Sequence, residues 1–404
     1  MTKKISIVLL VFVTIFLFGC KNKKGFKEKD GLYIKENEEY SELDINFSLM
    51  DNSYVAKEYQ INSKYKKICF IGDANTEYSS FSIKIEPVTN NIELVFDNFS
   101  FSAASEKVAI DASDVNTDVL VTLTVKGQST IKGGMGKIGK SGTSFDYNYG
   151  YSTTKPGEQG GVGKDGAPAI IGNNILLNIE EESSLIVIGG FGGNGGAGGN
   201  GGGAAIKGIG QAGHGAKGGN GGAGNAGMII KSELSINNRG SISIIGGSGG
   251  KGGIGGHGGE NKDTKITDRA DNAGNGGRGG KGGIGAMGLF VNENTVINIL
   301  ENKILKIKSG AGGNGGKGGA GGSSTKNQFQ TSNGGSAGNG GDGGNGGNTY
   351  IAVVGTNKLD DYVIESQAGK GAAGGNCGYD YNGAGRNGYY GENGYLNIEY
   401  IYEN

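Results

Sequence analysis

The chain has 404 residues, of which 87 are glycine, 3 proline and 3 cysteine, with no tryptophan. Its 38 basic and 39 acidic residues leave a formal charge of −1 at pH 7, so no overall basic field favours nucleic acid. So few cysteines exclude a disulfide-stapled scaffold. So few prolines exclude collagen, whose repeat carries one glycine per triplet with abundant proline or hydroxyproline.

Taken in chain order, Lys3 and Lys4 precede an apolar run over residues 5–18, followed by Gly19 and Cys20. A charged start and a short apolar stretch predict a signal peptide over residues 1–19 rather than a membrane span. The sequence Leu17-Phe18-Gly19-Cys20 resembles a bacterial lipoprotein lipobox, departing from it at Phe18, where a smaller residue is usual. The resemblance implies cleavage before Cys20, acylation of that cysteine and attachment to a membrane through it. Several acyl chains on one residue anchor stably where one does not. A secretory signal or an uncleaved anchor is the alternative. Cleavage would remove Lys3 and Lys4, leaving 36 basic against 39 acidic residues, a net charge of −3. Residues 20–32 read as a charged, flexible tether. No aspartate follows Cys20, which points to the cell envelope, at the outer membrane or cell surface.

Residues 33–132 hold few glycines and no convincing helix. The segments 67–72, 81–87, 92–101, 107–111 and 118–127 are rich in Val, Ile, Phe and Thr and are separated by Asn, Asp and Ser turns. This pattern predicts short strands. Phe70, Val95 and Val121 recur at the spacing of one coil, predicting a parallel β-helix or solenoid. An antiparallel sandwich is the alternative for this third. Cys69, and Cys377 far downstream, are expected to be unpaired.

Only 5 glycines precede Ile131. Beyond it a triplet of two glycines and a variable residue recurs over 189–203, 246–259, 312–322 and 340–348. A three-residue period matches a left-handed extended helix of about 3.1 Å rise, which makes no internal hydrogen bonds. Ordered tracts would therefore need neighbouring backbones as partners, and two bare positions per turn would let those backbones approach. Flexible linkers are the alternative.

Exits from apolar segments recur at Ile131, Val187, Ile244, Ile307 and Ile364, at intervals of 56, 57, 63 and 57 residues. Re-entries recur at Ala169, Met228, Leu289, Tyr350 and Tyr395. One coil per repeat follows, each with a glycine hairpin at the same corner. The turns fall at 143–156, 204–210, 260–272, 323–333 and 377–382. Similar hairpin lengths and triplet phase on both arms favour ordered tracts over linkers. The expected arrangement has two layers, with third-position side chains on the outer faces.

Signals for catalysis are poor, and the chain is not expected to be an enzyme. His214 and His257 occupy triplet positions expected to face solvent. No zinc spacing or nucleophilic triad occurs, no Walker ending follows the glycines, and no cofactor is expected. Asp111, Asp114 and Asp118 could form a calcium cluster, but turn aspartates bonding their own backbone are commoner. Binding signals are better. The first turn gathers Phe145, Tyr147, Tyr149 and Tyr151, and the last hairpin holds Tyr379 and Tyr381. Tip tyrosines offer contact area at low entropic cost; an ordinary strand with one buried face is the alternative.

The strand-and-turn stretch over 67–134 resembles bacterial surface proteins with a right-handed parallel β-helix of pectin-lyase-like architecture. The glycine triplets over 133–394 are similar in building principle to the polyglycine helix bundles at phage tail-fibre tips. Together the likenesses imply an all-β chain: a glycine-poor β-helix start over 33–132, then coils with five glycine hairpins over 133–404. The function they imply is an adhesin or glycan-binding display scaffold, recognising a host or bacterial surface glycan or receptor through the hairpin turns. A structural surface coat without a ligand is the alternative, with a polysaccharide lyase or hydrolase less favoured.

Overall fold

The computed structural model describes residues 25–50, 53–145, 155–203, 212–260, 273–291 and 294–322, with Tyr389 and Glu392. It also gives the backbone of Asn148–Tyr149, Ala204–Ala205, Thr349–Val354, Ile364–Gln367 and Leu396–Ile401. The chain is all-β: apart from a 3-10 turn at Phe47–Leu49, the described elements are strands. Seventeen of them form one large, mostly parallel sheet.

Three ladders of apolar side chains run through this sheet. In the first, Leu43, Ile68, Leu94, Leu123, Leu177, Ile236 and Ile299 face one another in succession. All seven are buried. The second runs Phe101, Ile131, Val187, Ile244, Ile307, and the third Ile83, Ile110, Ile170, Met228, Leu289. Successive side chains along a strand point to opposite faces, so parallel pairing in register keeps every ladder on one buried face. Leu94 and Leu123 are 29 residues apart, whereas Leu123 and Leu177 are 54 apart. The additional length comes from the first glycine excursion, which leaves after Lys132 and re-enters at Ile170, where the preceding turn of the chain has only the short connection from Ser102 to Ile110.

The early core is aromatic. Phe47, Phe70, Phe81, Phe96, Phe99 and Phe101 are completely buried, with ring pairs such as Phe47–Phe99 at 4.5 Å and Phe70–Phe96 at 5.6 Å. Such rings contribute large buried area and offset or edge contacts. The sheet begins differently from how it continues. Lys27–Lys29 pairs antiparallel with Leu32–Asn37, and that strand pairs antiparallel with Glu42–Asn46. This hairpin covers what would otherwise be an open sheet edge.

The strands expected over 67–127 form, and they pair in parallel, which excludes an antiparallel sandwich there. The expected alignment of Phe70, Val95 and Val121 needs correction: Phe70 faces Phe96, which faces Val125. A one-residue slip would turn each side chain to the other face, and Phe96 is the residue that stacks on Phe70. Ile131, Val187, Ile244 and Ile307 align as their spacing predicts. At the last repeat, Ile364 faces Leu305 instead of Ile307. At re-entry, Ile170 rather than Ala169 aligns with Met228.

Ile244 is fully buried in the second ladder. Ile244→Ala should destabilise the protein by about 2–5 kcal/mol, measured by denaturant unfolding. Ile186→Ala is the control: Ile186 points outward from Ser184–Ile188 and is 37% exposed, so it should cost at most about 1 kcal/mol.

Candidate functional site

Between the strands lie outgoing glycine tracts at 133–145, 189–203, 246–259 and 310–322. Returning tracts lie at 155–167, 212–227 and 273–288. The triplet Gly249-Gly250-Lys251 shows how each position is used. The Gly249 N–H donates to Ala311 O in the next outgoing tract (2.9 Å), and the Gly250 N–H donates to Gly222 O in a returning tract (2.8 Å). The Lys251 N–H points outward and donates to Asn194 Oδ1 of the preceding outgoing tract (2.9 Å). The same assignment repeats: Gly192 and Gly195 donate to Ser248 O and Lys251 O, while Gly193 and Gly196 donate to Lys164 O and Gly161 O.

The glycines are required by this approach. A Cβ on Gly249 would lie 2.0 Å from Gly283 O, and one on Gly250 would lie 2.1 Å from Gly193 O. First-position hydrogens thus face a tract of opposite direction, and second-position hydrogens face the preceding tract of the same direction. Third-position side chains face solvent: Asn194, Lys251, Ile254, His257, Arg278 and Lys317 are all exposed.

The first tract in each direction has no tract before it, and its sequence differs accordingly. Second positions there are Lys137 and Lys140 going out, and Glu158 and Lys164 returning, all exposed. At the edge of the array a second position can therefore carry a long side chain, although Gly161 keeps its glycine, whereas interior second positions hold glycine or, as at Ala216 and Ala286, a residue no larger than alanine along most of their length. Several polar third positions take a second role. Ser144, Asn200, His257, Asp165, His214 and Asn220 accept the outward N–H of Asn200, His257, Ala320, Ala223, Asn275 and Lys281 respectively. His214 and His257 both accept through Nδ1, which places the ring proton of each neutral imidazole on Nε2. Asp111 accepts from Ser113 N and Oγ as a local turn, and Asp114 pairs with Lys84 at 2.9 Å.

Of the residues expected at the tips, Phe145 is half-buried. Its N–H donates to Asn200 O at 3.1 Å, and Lys155 Nζ of the returning tract sits 5.7 Å from its ring centroid. Tyr149 belongs to Asn148–Tyr149, whose backbone pairs in parallel with Ala204–Ala205. The turns of the first two excursions are thus aligned with each other. Tyr147, Tyr151, Tyr379 and Tyr381 lie outside the described residues, as do Cys20 and Cys377.

Away from the tracts, a groove of about 280 Å³ opens at the start of the sheet, floored by Leu32, Leu43, Ile61 and Ile68. Glu36 and Lys64 pair across its wall at 2.9 Å, with Lys64 Nζ 4.7 Å from the Tyr65 ring centroid. Hydrogen bonding to Lys64 holds the Glu36 carboxyl below its usual range. Burial, chiefly, raises the Tyr59 phenol to about 12. Cys69 is a free thiol, and burial followed by the charges of Asp44 and Asp97 pushes it up to about 12. A thiol so poorly ionised is a weak nucleophile at neutral pH.

No protein-family model matches the chain, and no curated protein matches it. Among solved structures it is similar to the springtail antifreeze protein from Granisotoma rainieri, described as a nine polyproline type II helical bundle. Identity is 20%, covering 64% of this chain and 94% of that one, with a TM-score of 0.09. At that score the likeness carries no argument about fold or function.

One triplet separates the three positions experimentally. Gly249→Ala and Gly250→Ala should each lower stability by about 1–3 kcal/mol through forced backbone movement. Lys251→Ala should stay within about 0.5 kcal/mol of wild type. Thermal melting monitored by circular dichroism gives the comparison.

Proposed function

We propose that the protein is a surface-anchored lipoprotein that acts as an adhesin or glycan-binding display scaffold. In this reading the three ladders form a right-handed parallel β-helix, the hand expected of parallel crossover connections. The glycine excursions are hairpins of polyglycine II helix, stacked as an outgoing and a returning layer. The signal-like segment over 1–19 and acylation of Cys20 attach the chain to the outer membrane. The tether expected over 20–32 is shortened, because Lys27–Lys29 already pairs with Leu32–Asn37 in the sheet; the residues between Cys20 and that strand then link the array to the lipid.

The observation that carries the proposal is the parallel pairing of Asn148–Tyr149 with Ala204–Ala205 beyond the glycine tracts. Turns from two excursions are aligned side by side at the far end of hydrogen-bonded arms. A scaffold of this kind lowers the entropic cost of recognition by fixing its contact residues before a ligand arrives. Phe145, Tyr147, Tyr149 and Tyr151 supply the aromatic surface of the first tip, and Tyr379 and Tyr381 that of the last.

A glycan array probed at 1 M salt, where the Debye length is about 3 Å and exposed charges are screened, tests the tips directly. The wild type should bind a subset of glycans, and shortening the turns at 143–156, 260–272, 323–333 and 377–382 should abolish that binding without lowering the melting temperature. Binding retained after all four deletions would overturn the display reading. No binding by the wild type would favour a coat protein without ligand.

A further inference from the structure

The charge balance of the whole chain conceals a separation. The seven described tracts contain 9 Lys and Arg residues, while their only carboxylates are Glu158 and Asp165; the rest of the chain has 29 basic against 37 acidic residues. The glycine array is therefore cationic within an anionic protein. Lys140, Lys164, Lys217, Lys251, Arg278 and Lys317 are exposed and make no ion pair among the described residues. A field of one sign on a regular surface attracts a polymer of the other sign.

On the returning side this charge is organised. The Gly218 N–H donates to Arg278 O and the Gly221 N–H to Lys281 O, each at 2.9 Å. This register sets Lys217 beside Arg278, and Asn220 beside Lys281 in the next triplet. Asn220 Oδ1 accepts the Lys281 N–H at 3.0 Å. The Lys217 side chain offers only donors, so it supplies no acceptor for the Arg278 N–H, which has no partner among the described residues. Two cationic residues and an outward amide hydrogen thus stand side by side in register, with a third cation one triplet along. At the rise of an extended three-residue helix the triplets repeat about every 9 Å. That distance is of the order of a disaccharide unit in a linear polysaccharide.

We propose that the returning face of the array, centred on Lys217, Arg278 and Lys281, binds a linear acidic polysaccharide carrying carboxylates at regular intervals. The guanidinium of Arg278 suits a bidentate carboxylate contact, the Arg278 N–H adds a fixed donor, and Lys217 and Lys281 supply point charges on either side. This surface is separate from the hairpin tips. It rests on the ordered array but not on the tips being the recognition surface.

The probe is polygalacturonate, with its methyl ester as an uncharged control, binding being followed by titration calorimetry at low ionic strength. Wild type should bind the acid polymer and not the ester. The double variant Lys217→Gln with Arg278→Gln should bind about tenfold more weakly, as expected for two exposed charge contacts, while melting at the wild-type temperature. Lys251→Gln with Lys317→Gln, on the outgoing side, should weaken binding less. Protein lacking the four long turns should still bind the acid polymer. Unchanged affinity in the Lys217/Arg278 variant, or equal binding of the methyl ester, would overturn the proposal. So would equal binding of a single-stranded oligonucleotide, because charge alone would then suffice. Loss of polygalacturonate binding on turn deletion alone would overturn it too and leave the tip reading standing.

Discussion

Everything distinctive about this molecule depends on how closely bare backbones can approach. At Gly250 a single added carbon would lie 2.1 Å from a neighbouring carbonyl oxygen, and equivalent contacts near 2.0 Å recur from Gly192 to Gly322. At that distance the interior N–H groups reach carbonyls of other tracts at 2.7–2.9 Å, as at Gly252, Gly253, Gly255 and Gly256. A net hydrogen bond contributes only about 1 kcal/mol, whereas ordering a residue's backbone costs about 1–2 kcal/mol. Glycine lies at the costly end of that range. The tracts consequently rely on the ladders at their base. Leu43 through Ile299 supply the buried apolar area and fix the register, and each excursion starts and ends in a strand already paired.

That arrangement divides the sequence into positions with different freedoms. First and second triplet positions are fixed by neighbouring backbones. Third positions are free, and the chain uses them for two purposes. Asn, Asp, Ser and His complete the hydrogen bonding of the next tract, as Asn194 does for Lys251 and His257 does for Ala320. Lys and Arg leave charge at the surface. A side chain at a third position is therefore either a structural cap for the following repeat or part of an external face, and its chemical type tells which.

Much of this was legible in the residues alone. The hydrophobic spacing from Ile131 to Ile307 matches the register because each of these residues occupies the same buried face. The alignment of Phe70 with Val95 failed because consecutive apolar residues, Val95 and Phe96, hide the two-residue period that distinguishes inward from outward. Both are buried, so pattern alone could not choose between them. Single-glycine triplets in the first tracts, at Lys137 and Lys164, read as irregularity until the missing neighbour is seen. Net charge over the whole chain, −1, masked the cationic array, because averaging removes a separation that only the tracts' three-residue register reveals. The acceptor role of His214 and His257 was similarly hidden, since their partners lie 61 and 63 residues away.

Amide hydrogen exchange, resolved by residue, bears most directly on the central claim. Interior glycine N–H groups such as those of Gly193, Gly196, Gly250 and Gly253 should exchange slowly, approaching the protection of Leu177 and Ile236 in the strands. The N–H of Arg278, which points outward without an acceptor among the described residues, should exchange fast. If the interior glycines exchanged at the rate of an unstructured chain while the strands stayed protected, the arms would not be bonded to one another, and the account built on them would fail.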